Sequence, residues 1–154
     1  MSGCESAPSG SHEEISRLEV PLTKYPIVSI SVNTNLNEAK DAANKLEKAI
    51  ADELTKSFKS ISFADKEKSS AQLRLKIIDF RSVGKGSRFL AGTMAGQDRV
   101  VVEAELYDNS QRRIVGAFKA KGENVVGGRF WETGVDAAIS EVAKEVTKYL
   151  KARN

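Results

Sequence analysis

Glu103 and Glu105, two residues apart in a valine-rich stretch, are the first side chains to test for chemistry. On an extended strand, residues two apart share a face, so the spacing sets two carboxylates side by side. Such a pair can divide acid and base roles when its surroundings separate the two pKa values. Tyr107 follows on the same face, and Arg74, Lys76 and Lys119 are expected as neighbours, so ordinary ion pairing accounts for the pair equally well. Serine hydrolysis has less support. No Gly-x-Ser-x-Gly elbow occurs, and the single histidine, His12, stands in a polar N-terminal stretch. With one histidine and one cysteine, the chain lacks the ligands for a soft zinc or copper site. No metal is expected.

The run from Val83 to Gly96 carries Gly84, Gly86, Gly92 and Gly96. A phosphate loop needs Gly-x4-Gly-Lys-Ser/Thr, so that backbone amides and a lysine converge on phosphates. Gly84-Lys85 and Gly86-Ser87 are scrambled relative to that spacing. A dinucleotide fingerprint fails as well, because Phe89 stands where its third glycine belongs. No cofactor is expected. The glycines would let a connection between strands bend while Phe89, Leu90 and Met94 pack, or would shape a binding loop. Gly127-Gly128 precede Arg129, Phe130 and Trp131, two aromatics able to cap a core or an Arg–Trp anchor of the kind enriched at binding hot spots. A binding surface joining Arg88, Phe89 and Met94 to Arg129 and Trp131 is the expectation.

Cys4 is the only cysteine and cannot form an internal disulfide. Ser2-Gly3-Cys4 resembles the end of a bacterial lipobox, Leu-(Ser/Ala)-(Gly/Ala)-Cys, with Met1 where leucine would stand. The alternative is an incidental free thiol. If acylated, Cys4 would carry several chains, and two or more give stable anchoring. Glu5 rather than aspartate follows, which by resemblance to enterobacterial sorting implies the outer membrane and a periplasm-facing domain. No stretch approaches the roughly 20 apolar residues of a membrane span. Residues 5–16 are rich in Ser, Gly, Pro and Glu and read as a flexible tether with a reach of about 20 Å. Residues 1–24 are thus expected to be lipidation site and tether, with order starting between Leu18 and Tyr25. Residues 25–154 are expected to form one domain.

Apolar residues at 40% and charged residues at 29% fit an ordinary globular domain. The net charge of +3 conceals an acidic N-terminal stretch and a mildly basic remainder. That excess suits solubility and falls short of a nucleic-acid footprint. Basic and aromatic side chains never reach the density of an RNA-binding sheet, so nucleic-acid binding is the weakest reading.

The elements that would position these groups are legible in the hydrophobic spacing. Val28, Ile30 and Val32 alternate with polar residues as in a half-buried strand. Asn35 or Asn37 could cap a helix carrying Ala39, Ala42, Ala43, Leu46, Ile50, Leu54 and Phe58 on one face. Ile61 and Phe63 suggest a short strand. Leu73, Leu75 and Ile77 alternate, and the parity then switches at Ile78 and Phe80, which predicts a bulge or sharp bend. Val100, Val102, Ala104 and Leu106 form one strand face, and Ile114, Gly116, Phe118 and Ala120 another, joined by turn residues Asp108 to Gln111. Val135, Ala138, Ile139, Val142, Ala143, Val146, Tyr149 and Leu150 stripe a last helix. The predicted fold is α+β, a two-layer sandwich in the order β-α-β-β-β-β-α, with a mostly antiparallel sheet and two helices on one face. The open face would carry Arg74, Lys76, Glu103, Glu105 and Lys119, with Val101, Val115 and Tyr107 among them.

Arg88 to Gly96, the Val-rich strand ending Leu106-Tyr107-Asp108, the hairpin return and the Gly-Gly before the last helix together resemble a bacterial lipoprotein family, domain of unknown function 4410. The likeness spans roughly residues 25–150. It implies a lipoprotein with a small α/β fold and supplies no catalytic residues. The combined expectation is a non-enzymatic lipoprotein of the cell envelope, a binding or assembly module for an envelope protein or cell-wall component. A carboxylate-dependent hydrolase using Glu103 and Glu105 is the alternative.

Overall fold

The computed structural model describes residues 9–82, 97–125 and 134–153. In chain order the elements are β1 (Ser9–Ser16), β2 (Ile27–Thr34), α1 (Lys40–Ser57), β3 (Ser62–Phe63), β4 (Ala71–Arg81), β5 (Gln97–Asp108), β6 (Arg113–Val125) and α2 (Gly134–Ala152). The strands form one sheet in the order β1-β6-β5-β4-β2-β3. The β1–β6, β6–β5 and β5–β4 pairs are antiparallel, and β2 runs parallel to both β4 and β3. The α+β sandwich predicted from the sequence is present, with one strand added at its start.

The two helices form because their apolar residues recur every three to four positions and find the same sheet face. Ala42, Ala43, Leu46, Ile50 and Leu54 of α1 are buried, as are Ala138, Val142, Val146, Tyr149 and Leu150 of α2. Small residues let α2 approach closely. A Cβ added at Gly122 would fall 2.1 Å from the Ala138 carbonyl oxygen, so α2 rests on the bare backbone of β6. Further along, the Phe118 and Tyr149 rings stack with centroids 4.0 Å apart. α1 starts from Ala39 without a side-chain cap, after a 3-10 turn at Asn37–Ala39. Neither Asn35 nor Asn37 caps it; the Thr34 hydroxyl instead accepts the Leu36 N–H at 3.1 Å.

Two bulges set which side chains face inward. The first lies between Ile77 and Asp79, where the sequence parity switches. The second was not foreseen. Leu106 pairs with Gly116 but Tyr107 pairs with Ile114, leaving Val115 as the extra residue. Val115 is therefore buried and Ile114 is 43% exposed, the reverse of the sequence expectation.

The stretch read as a tether contains an edge strand. Ser9 to Glu14 pair in continuous register with Glu123 to Phe118. All eight β1 residues are exposed, so their backbone pairing leaves no apolar alternation in the sequence. Side chains on its α2 side fasten it: the Tyr149 hydroxyl donates to Glu14 at 2.7 Å and Arg153 Nε donates at 2.8 Å. Residues 17–26 then cross to β2, burying Leu18, Leu22 and Tyr25 under the helix layer. Order thus begins well before the predicted boundary at Leu18–Tyr25.

Candidate functional surface

Cys4, Arg88, Phe89, Met94, Arg129 and Trp131 lie outside the described residues. The residues flanking the two predicted binding segments do converge. β4 leaves the sheet at Arg81, which pairs with Arg99 near the start of β5; Gln97 pairs with Val125 at the end of β6. Ser9, where β1 begins, pairs with Glu123. α2 starts at Gly134 from the same end, and α1 follows β2 from that end too. One end of the sandwich therefore carries the start of β1, the ends of both segments and both helix N-termini. The β5–β6 hairpin, the residue 17–26 crossover and the short β3 occupy the other.

Glu103 and Glu105 project from the open face of β5, as predicted. Glu103 pairs in register with Lys76 on β4 and Lys119 on β6, and Lys119 in turn pairs with Glu13 on β1. Glu105 stands between Arg74 and Ala117. Opposite charges facing each other across strands make a neutralised ladder. Arg74 also lies 4.0 Å over the Tyr107 ring. A carboxylate couple for hydrolysis needs a shared, partly desolvated cleft; these two acids lie on a sheet face with a cation across from each.

The buried polar groups lie outside every motif of the sequence. His12 Nδ1 lies 2.8 Å from Glu145 Oε1, and Glu145 is only 6% exposed. A Cβ at Gly10 would fall 2.6 Å from Glu145 Cγ, so glycine makes room for that acid beneath β1. Lys148 Nζ reaches the other Glu145 oxygen at 3.3 Å. Next to it, the bonds from Tyr149 and then Arg153 hold the Glu14 carboxyl below the usual carboxylate range. Burial and the bond to Glu14 push the Tyr149 phenol up to about 12. These residues are 133 to 139 positions apart, so no local motif could reveal them. They lack a nucleophile within the cluster, and what they do is fasten the edge strand to α2.

A second buried acid organises the hairpin end. Asp108 Oδ1 accepts the Ser110 and Gln111 backbone N–H groups, both at 2.8 Å. Its Oδ2 accepts the Tyr25 hydroxyl at 2.7 Å. The Gln111 amide first, then the Tyr25 hydroxyl, hold this carboxyl far below the usual range. Burial and then that shared bond raise the Tyr25 phenol well above its ordinary value. A shallow groove of about 290 Å³ lies beside α1, lined by Ile30, Glu47, Lys48, Phe63 and Asp65 among others. Glu47 Oε1 there accepts the Val32 N–H at 3.0 Å, blunting the part of the β2 edge that β3 leaves uncovered. Among the described residues no cluster of three or more metal-ligating side chains occurs. None of their helices is long and apolar enough to cross a membrane.

Residues 13–128 match the family model described as domain of unknown function, DUF4410. The chain belongs to the DUF4410 family. The match starts inside β1, so the second half of this strand falls within the matched region. A search of curated proteins gives no match. Among solved structures, the PelC dodecamer from Paraburkholderia phytofirmans is similar at 19% identity and TM-score 0.61, over 94% of this chain and 99% of that one. A point variant of that protein gives 20% and 0.62 over the same shares. A Xanthomonas campestris protein of family DUF330 is similar at 15% identity and TM-score 0.57, over 86% of this chain and 83% of that one. At these identities the likeness is one of fold.

Proposed function

We propose that this DUF4410 chain is a bacterial lipoprotein, anchored in the outer membrane through acylated Cys4 and facing the periplasm, whose domain is a non-enzymatic binding or assembly module. The observation that carries this reading is the join between Cys4 and the domain. The only cysteine, in a lipobox-like context, stands five positions ahead of the first strand. A thioether-linked diacylglycerol with a further acyl chain would hold the domain stably at a bilayer. The open sheet face bears a neutralised charge ladder and the buried acids are engaged in holding elements together, which favours recognition over catalysis. The surface proposed for recognition joins Arg88, Phe89 and Met94 to Arg129 and Trp131, on the segments whose flanking residues converge at one end of the sheet. The partner would be an envelope protein or a cell-wall component.

Assembly with further copies is the favoured form of such a module, because the similarly folded PelC is a dodecamer and a sheet with two unlike edges suits head-to-tail contacts that close into a ring. The decisive experiment is mass spectrometry of the protein recovered from native outer membranes. The expected N-terminal peptide begins at Cys4 with its acyl chains attached; an unmodified Cys4 in those membranes refutes the reading. Native mass spectrometry of the acylated protein in mild detergent reads the assembly, and a monomer at all concentrations rules the ring out.

A further inference from the structure

The open face of the sheet carries a row of charge that alternates from strand to strand. Glu13 on β1, Lys119 on β6, Glu103 on β5 and Lys76 on β4 are successive register partners. Arg99–Asp79 at 3.0 Å and Lys121–Glu123 at 2.7 Å are ion pairs on this face. Among the described residues, none of the row's four side chains joins those pairs or forms one of its own. The face also leaves apolar side chains in water. The described residues expose three large ones, and two of them, Ile78 at 36% and Ile114 at 43%, stand here. Ile78 is the extra residue beside the Asp79–Val101 pair, and Ile114 lies opposite Tyr107.

We propose that a second copy of this chain docks on this face, about a two-fold axis that runs along the strands between β5 and β6. A two-fold contact sets each residue against its counterpart twice. This axis lays β5 of one copy over β6 of the other, and β4 over β1. Along the register rows, Glu103 then faces Lys119 of the second copy, and Lys76 faces Glu13. Arg99 faces Glu123 and Tyr107 faces Ile114 by the same rows. No like charges meet. Packed sheets lie about 10 Å apart, a gap that a lysine and a glutamate span together. Their strands stay within about 30° of each other, so the central rows remain in reach. Neighbouring axes are worse. One over β5 stacks Glu103 on itself, and one over β6 stacks Lys119 on itself. One between β4 and β5 sets Arg81 against Arg99. One between β6 and β1 leaves Glu103 and Lys76 beyond the second copy's edge. The area sets the strength. The face measures about 19 Å across four strands and about 27 Å from Arg99 to Tyr107, roughly 500 Å² per copy. Roughly 1,000 Å² for the pair is at the low end of specific interfaces, so the dimer is weak and sensitive to salt. The contact leaves both sheet edges open and does not depend on a lipid at Cys4.

Sedimentation equilibrium of the full chain, with reductant to keep Cys4 a thiol, reads the association at low and high salt. A monomer–dimer equilibrium that weakens with salt is expected. Glu103→Lys and Lys119→Glu should each weaken it about tenfold or more, because each brings like charges together twice. Mixing the two variants should restore it, since both contacts of the mixed pair again join opposite charges. Lys76→Glu mixed with Glu13→Lys repeats the test on the outer strands, and circular dichroism checks the fold of every variant. A monomer throughout, up to about 1 mM at low salt, overturns the proposal. So does association that the reversals leave unchanged, which would assign the contact to the sheet edges. Reversals that abolish the dimer without rescue on mixing refute the two-fold between β5 and β6.

Discussion

Replacing Asp108 with asparagine tests whether the buried carboxylate at the hairpin end ties the crossover to the sheet. The acid is 4% exposed and accepts from Ser110, Gln111 and Tyr25. Hydrogen bonds to a charged group contribute about 1.5–3 kcal/mol and neutral ones about 1. The amide oxygen of asparagine can keep the two backbone donors. Its NH2 group then replaces the oxygen that accepts from the Tyr25 hydroxyl and, at 3.1 Å, from the Gln111 side-chain amide, so the loss is those two charged bonds plus the weakening of the three to Oδ1. Asp108→Asn should cost about 2–3 kcal/mol, and in a domain of this size that lowers Tm by roughly 5–10 °C. Tyr25→Phe keeps the buried ring and removes only the hydroxyl, for about 1.5–2 kcal/mol. Urea denaturation of the two single variants and the double variant gives the coupling. Once asparagine is present the hydroxyl has lost its acceptor, so Tyr25→Phe should then cost little, a coupling of about 1–2 kcal/mol. The pH dependence supplies an independent sign. A carboxyl held below its unfolded value contributes stability that is fully present above about pH 3.9 and is lost as pH falls through the folded value. The margin of the wild-type chain over Asp108→Asn should stay constant from pH 5 to 8 and shrink below about pH 4. Equal costs of Tyr25→Phe in both backgrounds, or a margin unchanged down to pH 3, would refute this account.

Gly122→Val should destabilise by about 3 kcal/mol or more, because the new side chain meets helix backbone that cannot move without lifting α2 from the sheet; thermal melting reads it, and a shift under 1 kcal/mol would contradict the close approach of α2 to β6. Glu14→Gln and Arg153→Ala should leave the global transition nearly unmoved while amides of β1 exchange faster, since the Tyr149–Glu14–Arg153 bonds fasten an exposed edge strand; unchanged β1 protection by hydrogen-exchange mass spectrometry would show that backbone pairing alone holds it. Glu103→Gln and Glu105→Gln should each change stability by less than about 0.5 kcal/mol, as solvent-facing pairs contribute little; a loss above 1 kcal/mol would mean that the cross-strand ladder is cooperative.

What could be read from the sequence was the part of the fold that buries apolar surface in a regular rhythm. The stripe from Val135 to Leu150 and the parity switch at Ile78 both correspond to structure, because each reports directly which side of an element meets the core. The bulge at Val115 escaped because valine and isoleucine stand side by side at positions 114 and 115, and either could have been the inward residue. Leu18 decides between them: it packs where a Cβ on Gly116 would be, from a segment nearly a hundred residues away in sequence. β1 escaped for a stronger reason. Periodicity is a record of burial, and a strand whose every side chain is exposed leaves no such record. Its traces are written on other elements instead, as the buried Glu145 and Tyr149 of the last helix and the Arg153 guanidinium just beyond it turn toward His12 and Glu14. The same strand changes the meaning of Cys4. A tether would have left the domain free to reorient about its anchor. If Cys4 is acylated as proposed, a paired edge strand passes any pull on the lipid into the β1–β6 ladder at Ser9, so posture at the membrane depends on the fold as well as on a linker. Weakening the Glu14 bonds should then loosen that posture before it loosens the domain.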